Sequence, residues 1–137
     1  GWCHAGRLHP GYADICPTPE VDVKKVVLFA FNGELMCFVH VLLNGLDMKE
    51  KGYDAKIVVE GAATKLIPEI SRDGAMLNEL YRKARKADII DGACKACSAK
   101  MGVLDAVQAE GIRVLDDMSG HPSMARYQLE GYEVITF

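Results

Sequence analysis

The sequence predicts an α/β domain: a mostly parallel sheet of five strands with helices on both faces. Three features of the chain point there. Short apolar runs alternate with helical stretches from Lys24 to Phe137, the rhythm of βαβ units. The first run, Lys25–Phe31 (KVVLFAF), is apolar without alternation, as a strand buried on both faces requires. Turn formers and helix stops recur between the runs, among them Asn32-Gly33, Gly52, Gly61 and Gly111.

After the first strand, Asn32-Gly33 turns the chain and Glu34–Lys51 reads as a helix closed by Gly52. Leu35–Val39, Val41–Leu43 and Leu46 cover nearly its whole circumference. A helix apolar all round is buried on every side. This one is expected between the sheet and a second subunit, with the N-terminal arm as the alternative cover. Cys37 and His40 read as core or interface residues.

Ala55–Val59 is the second strand, and a short helical or irregular piece over Ala62–Ile67 is expected to stop at Pro68. Asp73–Lys86 reads as an amphipathic helix with Met76, Leu77, Leu80 and Tyr81 on one face. Ala87–Ile90 reads as the third strand, leading through Asp91-Gly92-Ala93 to Cys94-Lys-Ala-Cys97. A helical stretch over Lys95–Glu110 contains Gly102, placed to divide it in two. Ile112–Leu115, a helix over Pro122–Leu129 and the strand Tyr132–Phe137 complete the domain, which spans residues 23–137. Residues 1–22 read as an irregular arm, with three prolines, three glycines and no periodic pattern. Its Cys3, His4, His9 and Cys16 are metal-ligating types at a spacing that fits no zinc finger.

Composition narrows the function. A hydrophobic fraction of 50% with 26% charged residues is that of a soluble globular protein. Net charge is −3 with both signs dispersed, which leaves no footprint for nucleic acid or an anionic membrane. The densest basic stretch, Arg82–Lys86, closes a helix, where cations complement the dipole. The most apolar stretch, Leu35–Leu46, is well short of the ~20 residues that span a bilayer. Five cysteines without a regular framework argue for a reducing compartment, and a cytoplasmic location is expected. Asn32-Gly33-Glu34 lacks the glycine spacing of a nucleotide loop, so no cofactor is assigned.

The chemistry is expected at Cys94 and Cys97, where a strand gives way to a helix. Backbone N–H groups at such a turn favour thiolate. Four readings compete there. Cys94 would carry a sulfane sulfur as a persulfide, with Cys97 resolving it and Lys95 and Lys100 adding positive field. The pair would exchange disulfides in the manner of thioredoxin. Cys94 and Cys97 would be half of a zinc site completed by His121, by the arm or by another subunit. Or both would be small buried hydrophobes. His121, in a loop expected beside the CxxC strand, would lower a cysteine pKa or move a proton. Asp116 and Asp117 read as loop acids.

From Lys24 to Phe137 the chain resembles the DsrE/DsrF-like family of sulfur-relay proteins, which includes the Tus-type carriers of tRNA thiolation. The resemblance lies in the KKVVLFAF strand, the apolar helix after it, ADIIDGACKACSAKMGV, and the closing helix with GYEVITF. The family's sulfur-accepting cysteine stands just after a strand and eight residues before a glycine, which is Cys94 here. The resemblance implies a flavodoxin-like three-layer fold and homotrimers or homohexamers. It also implies persulfide transfer between a protein sulfur donor and a protein acceptor. Cys97 and the Cys/His-bearing arm are additions to that pattern.

Overall fold

Five strands and six α-helices make up residues 22–137, which are the residues the computed structural model describes. The expectations about the N-terminal arm, Cys3, His4, His9 and Cys16 included, lie outside them. The strands are β1 (Lys25–Ala30), β2 (Asp54–Val59), β3 (Ile90–Cys94), β4 (Val114–Leu115) and β5 (Glu133–Thr136). The helices are α1 (Leu35–Glu50), α2 (Ile67–Ile70), α3 (Asn78–Lys86), α4 (Lys95–Lys100), α5 (Leu104–Ala109) and α6 (Met124–Leu129). A 3₁₀ turn over Gly61–Leu66 leads into α2.

Every pairing is parallel, in the order β4-β3-β2-β1-β5. The result is a flavodoxin-like three-layer α/β fold. Its strand order differs from the 2-1-3-4-5 of flavodoxin itself. Here the chain steps outward from β1 to β4 and then returns once, through α6, to place β5 beside β1.

Alternation along β1 divides the interior. Val26, Leu28 and Ala30 enter a large core with Phe38, Val41 and Leu42 of α1, Tyr81 and Ala84 of α3, and Val107 of α5. Val27 and Phe29 face the other way, into a smaller core with Val58, Leu115, Tyr132 and Tyr127 of α6. Each fully buried aliphatic or aromatic side chain adds about 1.5–3 kcal/mol. Among the described residues, α6 is the one helix that contributes to the smaller core. The tyrosines there keep their hydroxyls paired: Tyr127 donates to Asp91, and Tyr132 donates to Asp54 at 2.6 Å. Burial and those carboxylates push both phenol pKa values up.

Several element bounds differ from the expectation. The chain does not stop at Pro68, which lies in the first turn of α2, where a missing N–H costs nothing. The helix expected from Asp73 begins at Asn78, because Leu77 is left-handed (φ 67°) and Gly74 (φ 77°) turns the chain before it. Met76 is consequently exposed. Gly102 (φ 73°) does divide α4 from α5. The third strand starts at Ile90 and runs through Asp91-Gly92-Ala93 into Cys94, not over Ala87–Ile90. On α1, Phe38, Val41, Leu42 and Gly45 are buried, whereas Met36, His40 and Leu43 are exposed and Cys37 is half-buried. No helix among the described residues is long and apolar enough to cross a membrane.

Candidate metal centre

The segments leaving β1, β2 and β3 turn toward the large core, while the one leaving β4 turns toward α6. Loops part at the carboxyl edge of the sheet, and ligands bind in such crevices. Cys94 is the last residue of β3 and caps α4: its Sγ accepts the Cys97 N–H at 3.3 Å. The one-turn spacing brings Cys97 Sγ to the same side. From the neighbouring strand β4, the chain makes a two-residue turn in which Met118 and His121 exchange backbone hydrogen bonds at 2.7 and 2.8 Å. Ser119 (φ 49°) and Gly120 (φ 86°) are both left-handed, the geometry of a tight hairpin turn. Gly120 also lies against α4: a Cβ there would meet Ala96 Cβ at 3.1 Å. The Ala96 N–H donates to Gly120 O at 2.8 Å, which docks the turn on α4.

That docking delivers His121 to the cysteines. Its Nδ1 stands 3.1 Å from Cys94 Sγ and 3.7 Å from Cys97 Sγ. A fourth group arrives from the end of β2: Glu60 Oε2 lies 3.5 Å from Cys97 Sγ and 4.0 Å from His121 Nδ1. Glu60 is buried, and its carboxylate accepts the Gly61 N–H at 3.3 Å. The four donor atoms all fall within 4.8 Å of one another. Sequence reasoning brings Glu60-Gly61 to the carboxyl edge of the sheet but assigns Glu60 no role in the site. A glutamate following the buried run Ile57-Val58-Val59 is the signal it left.

Cys94 is not the accessible, ionised thiol expected at the turn. It is 0% exposed, and burial pushes its pKa up to about 12, with the Glu60 charge adding to the rise and the Cys97 N–H opposing it. Lys95 pairs with Asp116 at the surface. Asp117 is structural: it accepts the Ser123 N–H at 3.1 Å and pairs with Arg126, contacts that hold its carboxyl below the usual carboxylate range.

Cys97 differs, because it is half-buried and lines a pocket of ≈ 560 Å³ together with Phe31, Glu60, Met118, His121 and Met124. In metal-free protein at pH 8, iodoacetamide is expected to modify Cys97 and leave Cys94 intact, as peptide mapping would show. Equal labelling of both would contradict the burial of Cys94. A thiol whose pKa rises on folding favours the folded state below its unfolded value of about 8.5. That contribution is lost as pH climbs toward about 12.

No model of a protein family matches the chain, and no solved structure does. An uncharacterized protein of Archaeoglobus fulgidus is 37% identical over 59 residues, which are 43% of this chain and 95% of its own. The chain belongs to that protein's family. Another uncharacterized protein of the same organism is 51% identical over 37 residues, 27% of this chain and 100% of its own. An uncharacterized protein of Methanocaldococcus jannaschii is 27% identical over 97 residues, 71% of this chain and 77% of its own.

Proposed function

We propose that the protein binds one zinc ion at the carboxyl edge of its sheet, held by Cys94, Cys97, His121 and Glu60. The observation that carries this reading is that both sulfurs and the carboxylate approach the same ring nitrogen, Nδ1 of His121. In a catalytic triad the nucleophile and the carboxylate bond opposite nitrogens of the imidazole. Groups that share one nitrogen have the arrangement of ligands around a common cation.

The distances agree with this. Zinc bonds of 2.0–2.3 Å in a tetrahedron place the ligand atoms about 3.3–3.8 Å apart. Four of the six separations here run from 3.1 to 4.0 Å, and all six are within 4.8 Å. Two thiolates with imidazole and carboxylate form a donor set that zinc accepts. Charge agrees too. Deprotonated, the cluster holds three negative charges, and no lysine or arginine among the described residues pairs with Glu60. A divalent cation neutralises two of them, and burial of the carboxylate then costs little. Protein purified without chelator is expected to carry one zinc per chain. Cys97→Ser and His121→Ala should lower the affinity by about tenfold or more. Undiminished zinc in both variants would sink the assignment.

A second reading is the sulfane-sulfur carriage that the DsrE/DsrF-like resemblance implies, with a persulfide on Cys94 and Cys97 resolving it. It is favoured by the Cys97 N–H and His121 Nδ1, at 3.3 and 3.1 Å from Cys94 Sγ, groups that stabilise a sulfur anion. The seclusion of Cys94 and the charge of Glu60 oppose it. Protein donors and acceptors, a homotrimer or homohexamer and a cytoplasmic setting belong to this reading, in which Met36 and Leu43 on α1 would be covered by another subunit. After treatment with a persulfide donor, intact mass should rise by one sulfur, about 32 Da, in the native chain and not in Cys94→Ala. A gain in both would remove Cys94 from the role.

A further inference from the structure

We propose that one position of the metal is exchangeable, and that the pocket offers it to a small, neutral, apolar thiol. This rests on the zinc reading and adds the ligand class. Three features of the site converge on it. The first is which donors meet the pocket. Cys94 is sealed beneath α4, while Glu60, Cys97 and His121 line the opening. Of these, Glu60 is the one able to leave. Its carboxylate is the poorest match to a thiophilic cation among the four donors, and its 4.0 Å separation from His121 is the widest of the four ligand distances given above. Cys94 and Cys97 are fixed by the β3–α4 junction, and His121 by the hairpin turn docked on Ala96.

The second feature is the wall of the pocket. Beyond the donors, it is built from Phe31, Met118, Pro122, Met124 and Ala125, with Ser123 and Gly61. No lysine or arginine appears among its described lining residues. A carboxylate or phosphate would enter unpaired beside Glu60, whereas a neutral molecule with an apolar body sheds little hydration.

The third is the balance of the exchange. The metal–oxygen bond to Glu60 breaks, a metal–sulfur bond forms, and the thiol proton passes to the displaced carboxylate. No electrons change hands, and the net charge of the site is unchanged. Among neutral protic molecules, thiols deprotonate most readily at a thiophilic cation.

The test uses the full chain loaded with Co²⁺, titrated with 2-mercaptoethanol and, separately, with acetate. Thiolate ligation is read from the sulfur-to-cobalt charge-transfer band. Going from two sulfur ligands to three should raise that band by about half, saturably, if tetrahedral coordination is retained. Acetate should leave it unchanged. Ala125→Trp, at an exposed position on the pocket wall, should keep the two-thiolate spectrum and lose the response to thiol. A band that ignores thiol, responds equally to acetate, or vanishes as cobalt is stripped overturns the proposal while leaving the metal site standing. Failure of the native chain to give a two-thiolate cobalt spectrum overturns the zinc reading itself, and this inference with it.

Discussion

Chelation of the zinc-loaded protein should lower its melting temperature by about 10 °C, and added zinc should restore it. The size follows from linkage: a ligand at 100 times its dissociation constant stabilises the folded state by about 2.7 kcal/mol. For a domain of this length, each kcal/mol moves the midpoint by roughly 4 °C. The direction follows from what the four ligands join. Glu60 directly follows β2, Cys94 and Cys97 bridge β3 and α4, and His121 hangs from β4, so a shared cation would tie three chain segments that separate at the sheet edge. Without it, the turn bearing His121 is held to α4 chiefly by the Ala96 N–H and the exposed Lys95–Asp116 pair. Exposed pairs of that kind contribute about 0–1 kcal/mol. Glu60 is then left buried, with the Cys97 thiol and the Gly61 N–H as its donors. Cys94→Ser should show the lower midpoint from the start and respond little to zinc. If the native chain binds zinc stoichiometrically yet chelation leaves the midpoint unmoved, the metal lies elsewhere, on residues that do not connect these segments.

How much of this was legible depended on whether local pattern or tertiary contact decides each element. Lys25–Ala30 was readable because a strand buried on both faces leaves a continuous apolar run, and Asp54–Val59 because its second half, Ile57-Val58-Val59, does the same. The division at Gly102 was readable because a left-handed residue ends a helix and glycine marks it. By contrast, Asp91-Gly92-Ala93 has the composition of a turn and is a strand. Its glycine answers to close approach by β4, which no local window contains. Leu77 adopts a conformation its side chain disfavours, so nothing in the amphipathic pattern warned that α3 starts at Asn78. The site divides in the same way. The cysteine spacing and the loop histidine mark the place of sulfur or metal chemistry, and the pairing of β3 with β4 unites them. Glu60 joins only because β2 lies next to β3, and strand order is written in long-range packing.

Gly92→Ala should therefore damage both the fold and the site. A Cβ at residue 92 would stand 2.6 Å from Leu115 Cγ and 2.7 Å from Arg113 O. Arg113 O accepts the Ala93 N–H at 2.9 Å, one of the bonds that hold β4 to β3. Relief requires β4 to move outward, and its pairing amounts to Ala93 with Val114 and Cys94 with Leu115. Overpacking of this kind costs about 1–3 kcal/mol. The functional consequence travels along the chain, because a displaced β4 carries the Met118–His121 turn away from Cys94. A shift of even a few tenths of an ångström spoils ligand geometry, and zinc affinity should fall by about 10–100-fold, as it does when the supports of a metal ligand are lost. Gly102→Ala separates the two effects. That glycine has φ +73° and nothing within 4 Å of its missing Cβ, so alanine there costs about 1–2 kcal/mol through backbone conformation alone. Both variants should melt lower, and only Gly92→Ala should also lose zinc. Equal zinc affinities in the two would mean that the position of β4 does not govern the histidine, and the link drawn here between strand packing and metal geometry would be broken.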